Sequence, residues 1–365
     1  MSWTLYEEDL PAIAIGAAIL GTGGGGDPYL GQVMAEDALH THGPLQILEV
    51  SEIPADQWIL AIAGMGAPTV LFEKPPAGDE PTRAFLALEQ HLGVTNAFPC
   101  PIEAGGINSL IPVAVAAQLG RPLVDADGMG RAFPELYMVT FHVAGQSGTP
   151  ACITNEFGDI VILDKVHDNL MFEWIARGIT IRMGGHAFVS QFPMQGRQLH
   201  DSAIRGTLSL ALRLGRAVIA ARSRHEDPVA AIAGATAMAG YGHGRILMHG
   251  KVVEVARRTA EGFARGTVTV EGLGANRETL YIDFQNENLV VRQGSKTLVA
   301  TVPDLITLVD ITTGQAITTE RLRYGQRVAV LVIPAPPIMK TAQALRIWGP
   351  RRFGYDSDYI PLAVQ

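Results

Sequence analysis

The texture of the chain changes once along its length, and that change constrains the fold more than any other feature. From Arg245 to Pro334 the sequence runs in β-branched alternating stretches broken by turn residues: RILMHGKVVEV, GTVTVEG, TLYIDFQ, NLVVRQG and RVAVLVIP. Alternation with a period of two over these lengths marks half-buried strands. No helical pattern longer than two turns interrupts them, so a small all-β module, barrel or sandwich, is expected. Ahead of it the pattern is mixed. Residues 7–20 set Leu10, Ile13, Ala14, Ala17 and Leu20 at helical spacing behind an acidic start, as the helix dipole prefers. PLQILEV (44–50), QWILAIAG (57–64), AFPCPIE (97–103) and RPLVDADG (121–128) have strand length, with helical segments at 80–92 and 107–120 between them. Helices set between such strands predict a three-layer α/β/α domain on a mostly parallel sheet covered on both faces. Residues 136–163 read as strand-rich and 197–223 as an amphipathic surface helix. The expected organisation is an α/β domain over 1–240, a β-rich domain over 241–339, and a final segment, 340–365, that returns to complete the first.

Residues 21–29, GTGGGGDPY, place five glycines in six positions ahead of Asp27-Pro28. Asp at the N-cap followed by Pro opens a helix well. The loop thus feeds a helix N-terminus, where free N–H groups favour an anion or a polarised carbonyl. Thr22, Gly23, Gly24, Gly25, Gly26 and Asp27 are therefore candidate ligand contacts. Gly21, Gly23 and Gly26 also fit GxGxxG, with Glu49 about twenty residues further on. That fingerprint requires a preceding strand. Residues 7–20 read as helix, so neither a nicotinamide nor a nucleotide is expected.

A net charge of −8 and a pI near 5.7 argue against nucleic acid or an anionic membrane as partner. Cys100 and Cys152 make no disulfide framework. Glu7, Glu8 and Asp9 stand where a signal peptide would be basic, and no apolar run reaches the ~18 residues that span a bilayer. A cytoplasmic enzyme or binding protein is the expectation, with apolar loops such as FPEL and FVSQFPM pointing to a homo-oligomer.

Two acidic constellations follow the glycine loop. PCPIEAGGINS (99–109) carries Glu103, with Asn108 and Ser109 at the start of the next helix. VDADGMGRAFPE (124–135) carries Asp125, Asp127, Arg131 and Glu135. Ligands of open α/β sheets bind beyond the carboxyl ends of the strands. Glu103 and the Asp125/Asp127 pair end strands linked by a single helix, so they are expected to share that edge. Carboxylates gathered there can hold a cation or act as general acid and base. Equally, the aspartates can cap turns with Arg131 paired to one of them. His142 is read within a strand, His186 follows Gly184-Gly185, and His243 sits in GYGHGR; no histidine belongs to a zinc-spaced motif. Cys100 reads better as a buried apolar residue than as a nucleophile. GxSxG and GxxxxGK[ST] are absent, which removes the nucleophile elbow and the P-loop. GPRRFGYDSDY (349–359) offers Arg351 and Arg352 as a carboxylate clamp or, equally, a solvated turn.

Four of these motifs, LGTGGGGDPY, EAGGINS, VDADGMGRAFPEL and WGPRRFGYDSDY, in that order, together resemble the family named after S-methyl thiohydantoin desulfurase, known from genes beside those of hydantoinase and oxoprolinase. The resemblance spans about residues 6 to 362. It implies an N-terminal three-layer α/β domain, a C-terminal β-rich domain, and action on a hydantoin-like five-membered ring. It assigns no catalytic residues. The reaction would be hydrolysis of a thioimidate carbon with loss of methanethiol. From local chemistry, Asp127 or Glu103, with Asp125 beside them, activates water, a divalent metal being an open candidate for lowering its pKa. His243 or His186 supplies the proton. The N–H groups of Gly23–Gly26 hold ring oxygens, and Asn108 and Arg131 complete the substrate contacts. The alternative is a non-catalytic binding or accessory subunit of a hydantoinase/oxoprolinase system. An accessory protein has no need for carboxylates and histidines to converge in one cleft.

Overall fold

The computed structural model describes residues 2–260, 263–274, 278–294 and 297–362; Met1 and residues 363–365, at the ends of the expected first domain, lie outside them. Two kinds of sheet divide the chain as its texture does. The N-terminal part carries a five-stranded sheet in the order Phe98–Pro101, Trp58–Gly66, His186–Gln195, Ala151–Thr154, Ile160–Leu163. The C-terminal part is a seven-stranded antiparallel sheet, a curled half-barrel, from Arg245–Ala260 to Arg327–Ile333. The mixed α/β plus all-β architecture expected from the sequence is what the structure has.

Pairing within the first sheet differs from the expectation of a mostly parallel one. Only Trp58–Gly66 and Phe98–Pro101 run parallel; the other three pairings are antiparallel. The strand His186–Gln195 enters between earlier strands and reverses the direction, which no local pattern foretells. A second difference matters more for the site. Leu123–Val124 does not join this sheet but pairs parallel with Ile47–Leu48 in a separate three-stranded sheet. Glu103 and Asp125 therefore follow strands of different sheets.

The helix read over 7–20 is present as Leu10–Leu20, so the GxGxxG glycines follow a helix, not a strand. Asp27 accepts from the Tyr29 N–H at 3.0 Å and opens the helix Pro28–His42. The segment around His142 is the short helix Thr140–Val143 and not a strand. The Thr140 N–H and hydroxyl both donate to Gly128 O, and buried Phe141 packs beside Phe192. Tertiary contacts there override the β propensity of the run. The helix expected over 197–223 is two, Gly196–Ser202 and Thr207–Ser223, broken at Gly206, whose φ of +73° suits glycine. The longer one is amphipathic as expected, with Arg213, Arg216 and Arg222 exposed, and its buried face packs closely. A Cβ at Gly16 would collide with Ala211 O and one at Gly215 with Ala12 O, so Leu10–Leu20 and Thr207–Ser223 cross at backbone contact.

One large core fills the α/β part and a second fills the half-barrel. The strand Arg327–Ile333 serves both: Ala329, Leu331 and Ile333 face the first, Val328, Val330 and Val332 the second. A strand buried on both faces reads as a continuous apolar run, as RVAVLVI does. The final segment also packs inward. Trp348 is buried and stacks on Phe133 with ring centres 5.5 Å apart. Among the described residues no helix is long and apolar enough to cross a membrane.

Candidate active site

The glycine loop lies where the two parts meet. Thr22 O accepts from the Asn288 N–H (2.8 Å) and Gly23 O from the Thr319 N–H (2.8 Å), both on the β-rich side. Gly25 O accepts from the Ile107 N–H (3.0 Å) on the α/β side. Close approach explains the glycines. A Cβ at Gly24 would overlap the Glu287 carboxyl, and a Cβ at Gly106 would overlap Gly25. Gly25 also has φ +72°. Much of the glycine requirement is thus internal packing, with the loop wedged between the two parts.

Beside this wedge is a cavity of about 120 Å³. Gly24, Gly25, Gly26 and Asp27 form one wall, and Glu103, Ile107 and Asn108 another. Glu287 closes it from the β-rich part, and His186 lies opposite, at the end of the first sheet. Met65, Ile102, Met129 and Phe133 give the interior an apolar lining.

Asn108 fixes Glu103. Its Oδ1 accepts from the Gly64 N–H (2.7 Å), and its Nδ2 donates to Gly64 O (3.1 Å) and to Glu103 Oε1 (2.6 Å). Burial pushes the Glu103 carboxyl well above the usual range, against the Asn108 hydrogen bond, and the neighbouring Glu287 and Asp127 carboxyls push it the same way. Its Oε2 is buried without a hydrogen bond, although the Phe133 N–H faces the carboxyl and favours its charge. Glu287 resembles it. Burial pushes it up to about 8, opposed by the charge of Arg131 and by the Gly25 N–H, and its Oε2 also lacks a partner. Two buried carboxyls, both with raised pKa and both facing one small cavity, are the site's chief chemical feature. His186 is held down to about 4 by burial, with Lys74 acting the same way against Glu156, so its imidazole is neutral at pH 7.

Most of the other candidates lie outside the cavity. Asp125 caps Thr207–Ser223: it accepts from the Leu208 N–H (3.0 Å), the Ser209 N–H (3.1 Å) and the Ser209 hydroxyl. Asp127 Oδ2 accepts from the Met129 (3.2 Å) and Gly130 (2.7 Å) N–H groups. Its segment does run beside Glu103's, since the Gly128 N–H donates to Ile102 O (3.1 Å), but Asp127 sits behind the cavity wall. Burial raises it to about 7. Asp127 thus neighbours Glu103, as expected of a shared edge, but neither aspartate lines the cavity. Cap N–H groups take Asp125, and turn N–H groups take Asp127 Oδ2 while its Oδ1 is buried without a hydrogen-bond partner. His243 is exposed and outside the cavity. Thr22 and Arg131 are buried together, Thr22 Oγ1 accepting from Arg131 (2.7 Å), and neither lines the cavity. Asp27 lines it while paired with Arg321 at 2.6 Å. Cys100 is buried, its thiol pushed far up by desolvation. His142 hydrogen-bonds Asn169 at 2.8 Å. Arg351 pairs with Asp356 and Asp358 of its own segment, and Arg352 reaches Glu135 (3.3 Å) at the cavity. Among the described residues no three His, Cys, Asp or Glu side chains gather as a metal-binding group.

Glu287 escaped the sequence reading because it looks like the start of one more strand, ENLVVRQ. The only trace of it is indirect, a glycine at 24 where a side chain would meet its carboxyl.

Comparison with known families settles the chain's kinship. The S-Me-THD-like N-terminal domain matches residues 8–165 and the S-Me-THD-like C-terminal domain residues 167–362. The chain belongs to the S-Me-THD-like family. Membership ties it to S-methyl thiohydantoin chemistry and, through the family's name, to a desulfurase-like activity. A crystal structure of a protein from Chromobacterium violaceum is similar over 99% of this chain and 100% of its own, at 26% identity and a TM-score of 0.83. No curated protein matches.

Proposed function

We propose that this member of the S-Me-THD-like family hydrolyses an S-methyl thiohydantoin to the hydantoin and methanethiol, using Glu287 as acid, His186 as base and Glu103 as a neutral hydrogen-bond donor. The observation that carries the reading is the pairing of Glu103 and Glu287 on one cavity, each with a buried oxygen left over. A carboxylic acid kept neutral in an apolar pocket donates a hydrogen bond to a developing oxyanion or a proton to a ring nitrogen.

The substrate's reactive carbon carries the methylthio group and a C=N bond. Glu287 protonates that ring nitrogen while the neutral imidazole of His186 takes a proton from water, and the water oxygen bonds to the carbon. With Oε1 accepting from Asn108, Glu103 presents its Oε2–H to the ring carbonyl. The tetrahedral carbon then collapses. Its hydroxyl proton returns to Glu287, the C–S bond breaks, and the protonated His186 hands its proton to the departing thiolate. Water is consumed, one methanethiol leaves, and both side chains regain their starting states.

His186 thus starts as a base and donates only the proton it has taken from water, since an imidazole held near 4 is neutral at pH 7 at the outset. Convergence of Glu103, Glu287 and His186 in one cleft favours an enzyme over an accessory subunit. The test is to incubate purified protein, as isolated and after chelator treatment, with an S-methyl thiohydantoin and follow thiol release. Release in both samples supports the carboxyl and imidazole mechanism. Release lost with chelator and restored by a divalent metal would replace His186 as the source of activated water. No release under any condition returns the accessory-subunit reading.

A further inference from the structure

Arg131 is fully buried, yet it does not line the cavity and makes no hydrogen bond to a carboxylate among the described residues. Its guanidinium donates only to neutral oxygens: Ala132 O (3.1 Å), Asp304 O (2.9 Å), Asn288 O (2.8 Å) and Thr22 Oγ1 (2.7 Å). The Asp304 carboxyl turns elsewhere, to the Ala335 N–H (2.9 Å) and the Tyr359 hydroxyl (3.0 Å). A buried cation without an ion pair is costly unless something else uses its field. Its acceptors show what that is: Thr22 precedes the glycine wall, and Asn288 follows Glu287.

We propose that Arg131 is a positioning residue for Glu287: it ties the glycine loop to the strand that carries this carboxyl and supplies the positive charge that faces it. The inference rests on the reading of Glu287 as the site's acid. The groups facing Glu287 are Arg131, Glu103, Glu320 and the Gly25 N–H, and those facing Arg131 are Glu287, Asp304 and Tyr241. Arg131 is the cation among them, and it opposes the effect of burial on Glu287. Its own proton is held less tightly than usual, near 10, because burial outweighs the carboxyls around it.

The test follows the carboxyl directly. Protein labelled with carboxyl-13C glutamate is titrated by NMR, with Glu287→Gln assigning the signal, in the wild type, Arg131→Gln and Arg131→Lys. An opposite charge nearby holds a carboxyl down by about 1–3 units. Arg131→Gln should therefore raise the Glu287 midpoint by at least about one unit, and the alkaline limb of kcat/KM should move with it. Arg131→Lys, which keeps the charge but cannot reach all four acceptors, should raise it by part of that. An unmoved midpoint in whichever variants fold overturns the proposal. If the midpoint moves while Glu287→Gln keeps full thiol release, the coupling stands and the acid role of Glu287 falls. If Glu287→Gln is inactive and the midpoint stays, the acid role stands and the coupling falls.

Discussion

The segment 124–131 and the wall formed by Glu103 and Glu287 are both buried and acidic, and both raise their carboxyl pKa values by desolvation. They differ in what the oxygens touch. Asp125 has its oxygens taken up by N–H groups and a hydroxyl at the start of Thr207–Ser223. Asp127 closes a turn with Oδ2 while its Oδ1, buried without a hydrogen-bond partner, lies away from the cavity. Glu103 and Glu287 each keep an oxygen without a hydrogen bond beside a cavity. Burial and a shifted pKa are common to both regions and so do not mark chemistry. Unspent hydrogen-bonding capacity facing a space that a ligand can enter does.

The contrast is broken most directly at Glu287. Glu287→Gln should cut kcat/KM for thiol release by about 10²–10⁴, the usual contribution of a positioned acid. A full-rate variant would erase the distinction between the two regions. His243→Ala, on an exposed loop outside the cavity, is the matched control and should leave the rate unchanged.

Geometry comes next. Gly24 has no positive φ to forbid a side chain, but a Cβ there would displace the Glu287 carboxyl. Gly24→Ala should lower kcat by about 10²-fold, the scale of a one-ångström misplacement. Equal loss from an unfolded protein would show instead in circular dichroism.

The capping region should respond in stability and not in rate. Asp125→Ala leaves buried donors of Leu208 and Ser209 without an acceptor and should cost about 1–3 kcal/mol in urea unfolding. Turnover per folded molecule should be unchanged, and a specific loss of kcat would bring Asp125 back into the chemistry.

The remaining effect is on the pH dependence of stability. Glu287 ionises near 4.3 when unfolded and near 8 when folded, so between these values the folded state holds the extra proton. Its contribution is present in full below about 4.3 and is lost as pH rises toward 8, so stability should fall across that window. Glu103 and Asp127 act with the same sign. Glu287→Gln should flatten the slope without removing it, and an unchanged slope would mean that Glu287 ionises normally in the fold.

Local chemistry determined a good deal of this protein from the sequence alone. Asp27-Pro28 opens a helix wherever it stands, alternating β-branched runs pair as strands, and a 3.6-residue period over 7–20 denied the glycines a preceding strand. Glu103 and Asn108 were legible because five residues and a glycine bend join them. Other features depended on contacts between distant residues. The sequence around His142 has strand propensity, and only Gly128, Phe192 and Asn169 make it a helix turn. Asp125 resembles a site residue until the N–H groups of residues 208–209 are brought to it from more than eighty positions away, whereas the turn at Asp127 is local. Glu287 meets Gly24 across more than 250 positions of chain, and no periodicity carries that information. Helix caps and strand patterns are set by neighbours within a few residues, whereas the site is assembled where two parts of the chain close on each other, and that closure belongs to the tertiary structure.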